Sequence, residues 1–184
     1  MFRNKECVAM LKAGEKMVAY PFSGYWKDVG TIASLWEANM DLLGNNPVLN
    51  LYDGEWRIYS RHEAHAPQFV SDGAVFENSS ITEGCEIYGT VRNSVIGAGV
   101  RVMSGAVVSD SVILDNVVVE SGAEVRYAIV DSGTTIGKDC KIGEDITDIS
   151  KVAVVGADIC VPDGTVVPAG AMISKSSDLN KEDN

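Results

Sequence analysis

A six-residue period running through the second half of the chain restricts its fold more than any other feature. Ten windows start at Ile81, Ile96, Val102, Ile113, Val119, Val130, Ile136, Val155, Val161 and Val167, and each begins with a β-branched residue. Their fourth position reads Gly84, Gly99, Gly105, Asn116, Gly122, Gly133, Asp139, Asp158, Gly164 and Gly170. These residue types tolerate a positive φ, so every window carries a forced corner. The fifth position holds compact or β-branched side chains, Cys85, Val100, Ala106, Val117, Ala123, Thr134, Cys140, Ile159, Thr165 and Ala171, which suit the inside of a tight bend. Each window therefore predicts a short strand and a bend, its first residue pointing inward onto its equivalent one coil away. Three such sides close a triangular coil, and coils repeat at the ~4.8 Å spacing of neighbouring strands. An ordinary antiparallel sheet explains alternating Val and Ile, but not a turn residue at one phase in all ten windows.

A longer period agrees. Asn93-Ser94-Val95-Ile96, Asp110-Ser111-Val112-Ile113 and Tyr127-Ala128-Ile129-Val130 recur every seventeen residues, one coil with two six-residue sides and one shortened side. The run 145–154 breaks register and predicts a loop or bulge. The fold class is mainly β: a parallel β-helix over 70–173, then a polar tail over 174–184.

The sequence before the repeats has another character. Ten of the thirteen aromatic residues lie at or before Phe69. Residues 1–44 read as a small α+β segment and 45–69 as a connector. Phe2–Leu11 predicts a helix stopped by Gly14. Met17–Phe22 and Tyr25–Val29 predict strands around the turn Ser23-Gly24. Thr31 is placed to N-cap a second helix, with Ile32, Leu35, Trp36, Met40 and Leu43 on one face and Gly44 as its stop. Asp28, at a predicted strand end before Gly30-Thr31, is the conspicuous ionisable group. By spacing it reads first as a solvated or capping carboxylate and second as a ligand, because α/β folds gather ligands at the carboxyl ends of strands.

Charge and composition exclude whole classes of function. A net charge of −11 opposes nucleic acid as a partner, since a phosphate backbone demands a basic surface. It equally opposes docking on an anionic membrane. No run of eighteen apolar residues exists, and Met1–Glu6 lacks an apolar leader region, so a cytoplasmic location is expected. The four cysteines, Cys7, Cys85, Cys140 and Cys160, are widely spaced and predict neither a disulfide framework nor a zinc site. The two histidines, His62 and His65, both precede the first repeat.

Hexapeptide repeats resemble the left-handed β-helices of hexapeptide acyltransferases, γ-class carbonic anhydrases and sugar nucleotidyltransferase tails. The first two chemistries need histidines between coils, as base or as zinc ligands, and the repeats have none. A more specific likeness lies upstream, in Tyr20-Pro21-Phe22-Ser23-Gly24-Tyr25-Trp26-Lys27-Asp28-Val29-Gly30-Thr31-Ile32 followed by Leu35-Trp36-Glu37-Ala38-Asn39-Met40-Asp41-Leu42-Leu43. With Leu51-Tyr52-Asp53, Trp56-Arg57-Ile58-Tyr59 and Pro67-Gln68-Phe69-Val70, it resembles the end of the catalytic domain of bacterial glucose-1-phosphate adenylyltransferases and their entry into a C-terminal left-handed β-helix.

The resemblance implies nucleotidyl transfer, in which glucose 1-phosphate attacks the α-phosphorus of ATP and releases pyrophosphate. It also implies Mg²⁺ as cofactor, held in part by Asp28, with Lys27 beside it as a candidate phosphate contact or an exposed strand lysine. Tetrameric self-association, and a regulatory role for the β-helix, follow from the same likeness. The chain departs from that family in lacking the Gly-rich, Arg-bearing phosphate loop and the second metal-binding Asp; Gly97-Ala98-Gly99 is a repeat corner. The expectation is a C-terminal portion that carries no catalytic residue of its own and does not turn over alone. The competing readings are a free-standing β-helix assembly module and, behind it, a hexapeptide acyltransferase.

Overall fold

The computed structural model describes residues 4–51, 53–55, 58 and 64–180. Phe2, Tyr52, Trp56, Arg57, Tyr59 and His62 lie outside the described residues, so expectations resting on them stay at the level of sequence.

From Phe69 to Ile173 the chain winds as a parallel β-solenoid with three six-stranded faces. The first face stacks Phe69–Val70, Glu86–Ile87, Arg101–Val102, Val118–Val119, Thr135–Ile136 and Cys160–Val161. The second runs from Val75–Glu77 to Val166–Val167, and the third from Ser80–Ile81 to Met172–Ile173. Register fixes the coil length. Arg101 pairs with Val118 and Val118 with Thr135, a spacing of seventeen residues. Glu86 pairs with Arg101 across fifteen, and Thr135 with Cys160 across twenty-five. The long coil contains the predicted register break, which folds as a loop with a 3₁₀ turn at Ile149–Lys151, N-capped by Asp148.

All ten fourth-position residues have φ between +55° and +80°. Nine of the ten first-position residues are buried to 2% exposure or less, Ile81 in the first coil being the partly covered one. Each such Val or Ile adds roughly 1.5–3 kcal/mol of burial. At the fifth position three polar members donate across coils, Cys85 Sγ to Gly97 O (3.0 Å), Cys140 Sγ to Pro162 O (3.0 Å) and Thr134 Oγ1 to Gly156 O (2.7 Å), while Thr165 Oγ1 donates within its own corner to Pro162 O (2.6 Å). Burial pushes both thiols up, which makes them inert structural residues.

Outside the ten windows Ile87, Val91, Val108, Val125 and Ile142 also point inward and are fully buried. Ile87, Val108, Val125 and Ile142 lie six residues after Ile81, Val102, Val119 and Ile136, but the left-handed residue follows Val91, Val108, Val125 and Ile142 within two positions, at Asn93, Asp110, Tyr127 and Gly143, rather than at a fourth position. There the corner is held by a side-chain ladder. Asn78 Nδ2 donates to Asn93 Oδ1 (2.9 Å) and Asn93 Nδ2 to Asp110 Oδ1 (2.6 Å). Beside it, buried Ser94 and Ser111 each accept the next coil's backbone N–H and donate to their own coil.

Before the solenoid stand two helices, α1 (Asn4–Lys12) and α2 (Ile32–Met40). Gly14, at φ +73°, closes α1: its N–H reaches Leu11 O, and Glu15 N–H reaches Met10 O. Thr31 and Ser34 form a reciprocal cap on α2. This helix ends at Met40, with Asp41 as its C-cap, three residues short of Leu43, because Leu42 and Leu43 turn more tightly onto Asn39 and Met40. The predicted strands Met17–Phe22 and Tyr25–Val29 do not form. Among the described residues no backbone of this stretch finds a ladder partner, and a strand exists only against a neighbour. The segment before the solenoid is therefore helical plus extended coil rather than α+β.

Candidate functional site

The resemblance directs attention to Tyr25–Asp41. Tyr25 Oη donates to Asp41 Oδ2 (2.9 Å), and Lys27 Nζ donates to the same oxygen (2.8 Å) and lies 3.5 Å from Glu37 Oε2. These bonds tie the extended segment to the C-terminal end of α2. The ammonium of Lys27 holds Asp41 below the usual carboxylate range, and Asp41 in turn raises Lys27. Partial burial and the bond to Asp41 push the Tyr25 phenol up. Lys27 is thus half-buried and paired, neither an exposed strand lysine nor a free phosphate contact.

Two residues apart, Tyr25 and Lys27 reach one acceptor, as residues on one side of an extended chain do. Trp26 between them points away and is 74% exposed. Asp28 is exposed as well, and its Oδ1 accepts the Gly30 N–H (3.1 Å), shaping the turn into Thr31. Among the described residues no group of three or more His, Cys, Asp or Glu gathers where a metal could sit. Asp28 can therefore offer one carboxylate to a Mg²⁺ whose remaining ligands are phosphates and water, which fits that ion's habit, and it cannot build a site by itself.

α2 is locked to the third face of the solenoid. Ile32, Trp36 and Met40 pack with Ile146 against Val112, Ile129 and Val152. Trp36 Nε1 donates to Asp110 O (2.8 Å), and its ring lies 5.9 Å from that of Tyr127. Tyr127 stands at φ +43°, where the coils before it place Asn78, Asn93 and Asp110. Sequence reasoning did not find this contact. Its one signal was an aromatic residue in a column of amides and carboxylates.

Two hollows open on the described surface. One, about 650 Å³, separates 42–51 from the first coil, is lined by residues such as Asn45, Asn78, Ser80 and Phe76, and includes no charged side chain. The other, about 380 Å³, holds Glu124, Arg126, Lys141, Glu144 and Asp145, but Arg126 already lies 2.9 Å from Glu124 and 3.6 Å from Asp145. Neither offers a phosphate loop at a helix N-terminus. Between the coils no described histidine appears; His65 lies ahead of the first strand and packs over Gly84. No described helix is long and apolar enough to cross a membrane.

Two family models match, in order along the chain. The one described as Nucleotidyl transferase matches residues 1–45, and the one described as GlmU-like, C-terminal hexapeptide matches residues 66–162, more than half of the chain. A glucose-1-phosphate adenylyltransferase of Desulforamulus reducens is 46% identical over 162 residues, which cover 86% of this chain and 41% of that protein. One of Clostridium perfringens is 44% identical over 165 residues, 89% of this chain and 41% of its own. One of Bacillus cytotoxicus is 50% identical over 127 residues, covering 69% and 34%. The chain spans about two fifths of the length of the first two of these curated relatives.

Proposed function

The chain belongs to the family of GlmU-like C-terminal hexapeptide domains, and from that footing we propose that it is the C-terminal part of a cytoplasmic glucose-1-phosphate adenylyltransferase. The observation that carries this reading is the order of parts: a nucleotidyl-transferase end over 1–45 runs into a hexapeptide solenoid, with α2 of the former seated on the latter. The substrates of the whole protein are then ATP and glucose 1-phosphate, and its products ADP-glucose and pyrophosphate.

Within that protein this chain positions and supports. Lys27, Tyr25 and Asp41 hold the extended segment on α2, and Trp36 holds α2 on the solenoid, so Asp28 is fixed relative to the β-helix. Asp28 is the residue that would hold Mg²⁺, which supplies charge neutralisation on the triphosphate. The solenoid supplies the surface for self-association and regulation. A free-standing assembly module is the second reading, and the nucleotidyl-transferase match over 1–45 argues against it.

The test is a pyrophosphate-release assay with ATP and glucose 1-phosphate. The 184-residue chain alone should give no turnover. The same chain fused behind the unmatched part of the Desulforamulus reducens relative should form ADP-glucose. An inactive but folded fusion would remove the reading.

A further inference from the structure

The first coil of the solenoid is the open end of the stack. Val75–Glu77 pairs only with Thr90–Arg92, and Ser80–Ile81 only with Val95–Ile96. The other edge of each strand carries main-chain N–H and C=O groups with no ladder partner. The hollow of about 650 Å³ lies where Phe76, Asn78, Ser79 and Ser80 of this coil face residues 42–51, and it has the size of a small-molecule site. Its far wall is folded back on the end of α2, where Val48 N–H donates to Asp41 O (3.1 Å).

Two kinds of side chain line it. Leu43, Leu49 and Phe76 supply apolar wall, and Asn45, Asn46, Asn78 and Ser80 supply amides and a hydroxyl. These polar groups are not spent on the fold. Ser79 is spent, since its Oγ donates to Glu77 O (2.7 Å) and accepts the Ser94 N–H (3.0 Å). Among the described residues Asn45, Asn46 and Ser80 make no side-chain hydrogen bond. Asn78 is the first rung of the corner ladder: its Nδ2 donates to Asn93 Oδ1, as Asn93 Nδ2 donates to Asp110 Oδ1. No coil precedes it, so its own Oδ1 receives no donor among the described residues.

The chemistry of the lining selects the ligand. No cation is present to hold a phosphate, and no carboxylate to hold a metal ion. Carboxamides and a hydroxyl together donate and accept, which is what a ligand hydroxyl asks of its partners. We propose that this hollow binds a neutral sugar, whose hydroxyls pair with Asn45, Asn46, Asn78 and Ser80 and whose C–H face rests on Leu43 and Phe76. A phosphorylated sugar is excluded, because its charge would be desolvated without a partner. The site is therefore separate from the proposed nucleotidyl transfer, whose reactants both carry phosphate, and it does not depend on that reading.

The test is a titration of the ¹⁵N-labelled 184-residue chain with maltose, followed by amide chemical shifts, with glucose 1-phosphate and inorganic phosphate as the charged counterparts. Maltose should give saturable shifts confined to 42–51 and 76–80, and the two phosphates should leave those residues unmoved. Asn45→Ala with Ser80→Ala should weaken maltose roughly tenfold or more and leave the circular-dichroism melt unchanged, since neither side chain bonds within the chain. Mapping on the unmodified chain decides by itself. An absence of saturable shifts with maltose, or shifts confined to other residues, would overturn the proposal. Glucose 1-phosphate or phosphate shifting 42–51 and 76–80 more tightly than maltose would give the hollow to an anion and overturn it as well.

Discussion

At Tyr127 the backbone sits in the left-handed region at φ +43°, a conformation that costs a non-glycine residue about 1 kcal/mol or more. The strain is retained because the ring stacks on Trp36, which itself donates to the Asp110 carbonyl one coil away. Burial raises the phenol, with the charges of Asp110 and Asp145 adding to it. A double-mutant cycle of Trp36→Ala and Tyr127→Ala should return a coupling of about 1 kcal/mol in urea unfolding; a coupling near zero would make the stack incidental. Corner residues give a second expectation. A Cβ on Gly122, at φ +75°, would run into the Asp139 carboxylate of the next coil, so Gly122→Ala should destabilise by roughly 2 kcal/mol. Asn116→Gly, at φ +59°, should be close to neutral, because it removes strain at the cost of added unfolded-state freedom. The corners were legible in the sequence because only a few residue types fit them. Tyr127 was not, because its partner is ninety-one residues away.

Among the elements, the solenoid strands and the extended Met17–Val29 segment differ in their neighbours rather than in their propensity. Val118 has Arg101 and Thr135 on either side, whereas no described strand lies beside Val18. Apolar residues bounded by turn residues announced a strand in both places, and only the first found an edge. What replaces the ladder at Tyr25–Lys27 is the Asp41 cluster, and its pH behaviour follows from the two shifts. Asp41 is lowered in the folded chain, so its contribution is present above the ordinary carboxylate value and is lost as pH falls through the lowered one. Lys27 is raised, so its contribution is complete below the ordinary lysine value and fades as pH rises through the raised one. Attachment of the segment to α2 should therefore hold from mildly acidic to mildly alkaline pH and loosen at both extremes. Lys27→Met should flatten the dependence, leaving the part that the Tyr25 bond to Asp41 carries, at a cost of roughly 0.5–1 kcal/mol. Hydrogen exchange at the α2 end, followed against pH, checks this; a flat profile in the unmodified chain would refute it. The cluster was not visible in sequence because Asp41 was read as part of a longer helix.

For the molecule as a whole, the covalent order separates two kinds of cohesion. The solenoid buries a continuous column from Cys85 to Val167 and ties each coil to the next through main-chain bonds. The part before residue 45 is held to it through α2 alone among the described contacts, by one small apolar cluster, one indole hydrogen bond and one ring pair. Stability in such a chain is not uniform, and the less anchored unit opens first. All three tryptophans, Trp26, Trp36 and Trp56, precede the first repeat, while the strands that dominate far-ultraviolet dichroism begin at Phe69. Tryptophan emission therefore reports the release of α2, and dichroism reports the solenoid. In a urea titration the emission transition should come at lower denaturant than the dichroism transition, a departure from two-state behaviour. Ile32→Ala, which trims the apolar cluster under α2 and keeps Trp36 as reporter, should move the early transition lower still and leave the late one in place. If the two probes traced one superimposable curve, α2 and the solenoid would be a single cooperative unit, and the β-helix would be coupled to Asp28 far more tightly than these contacts provide.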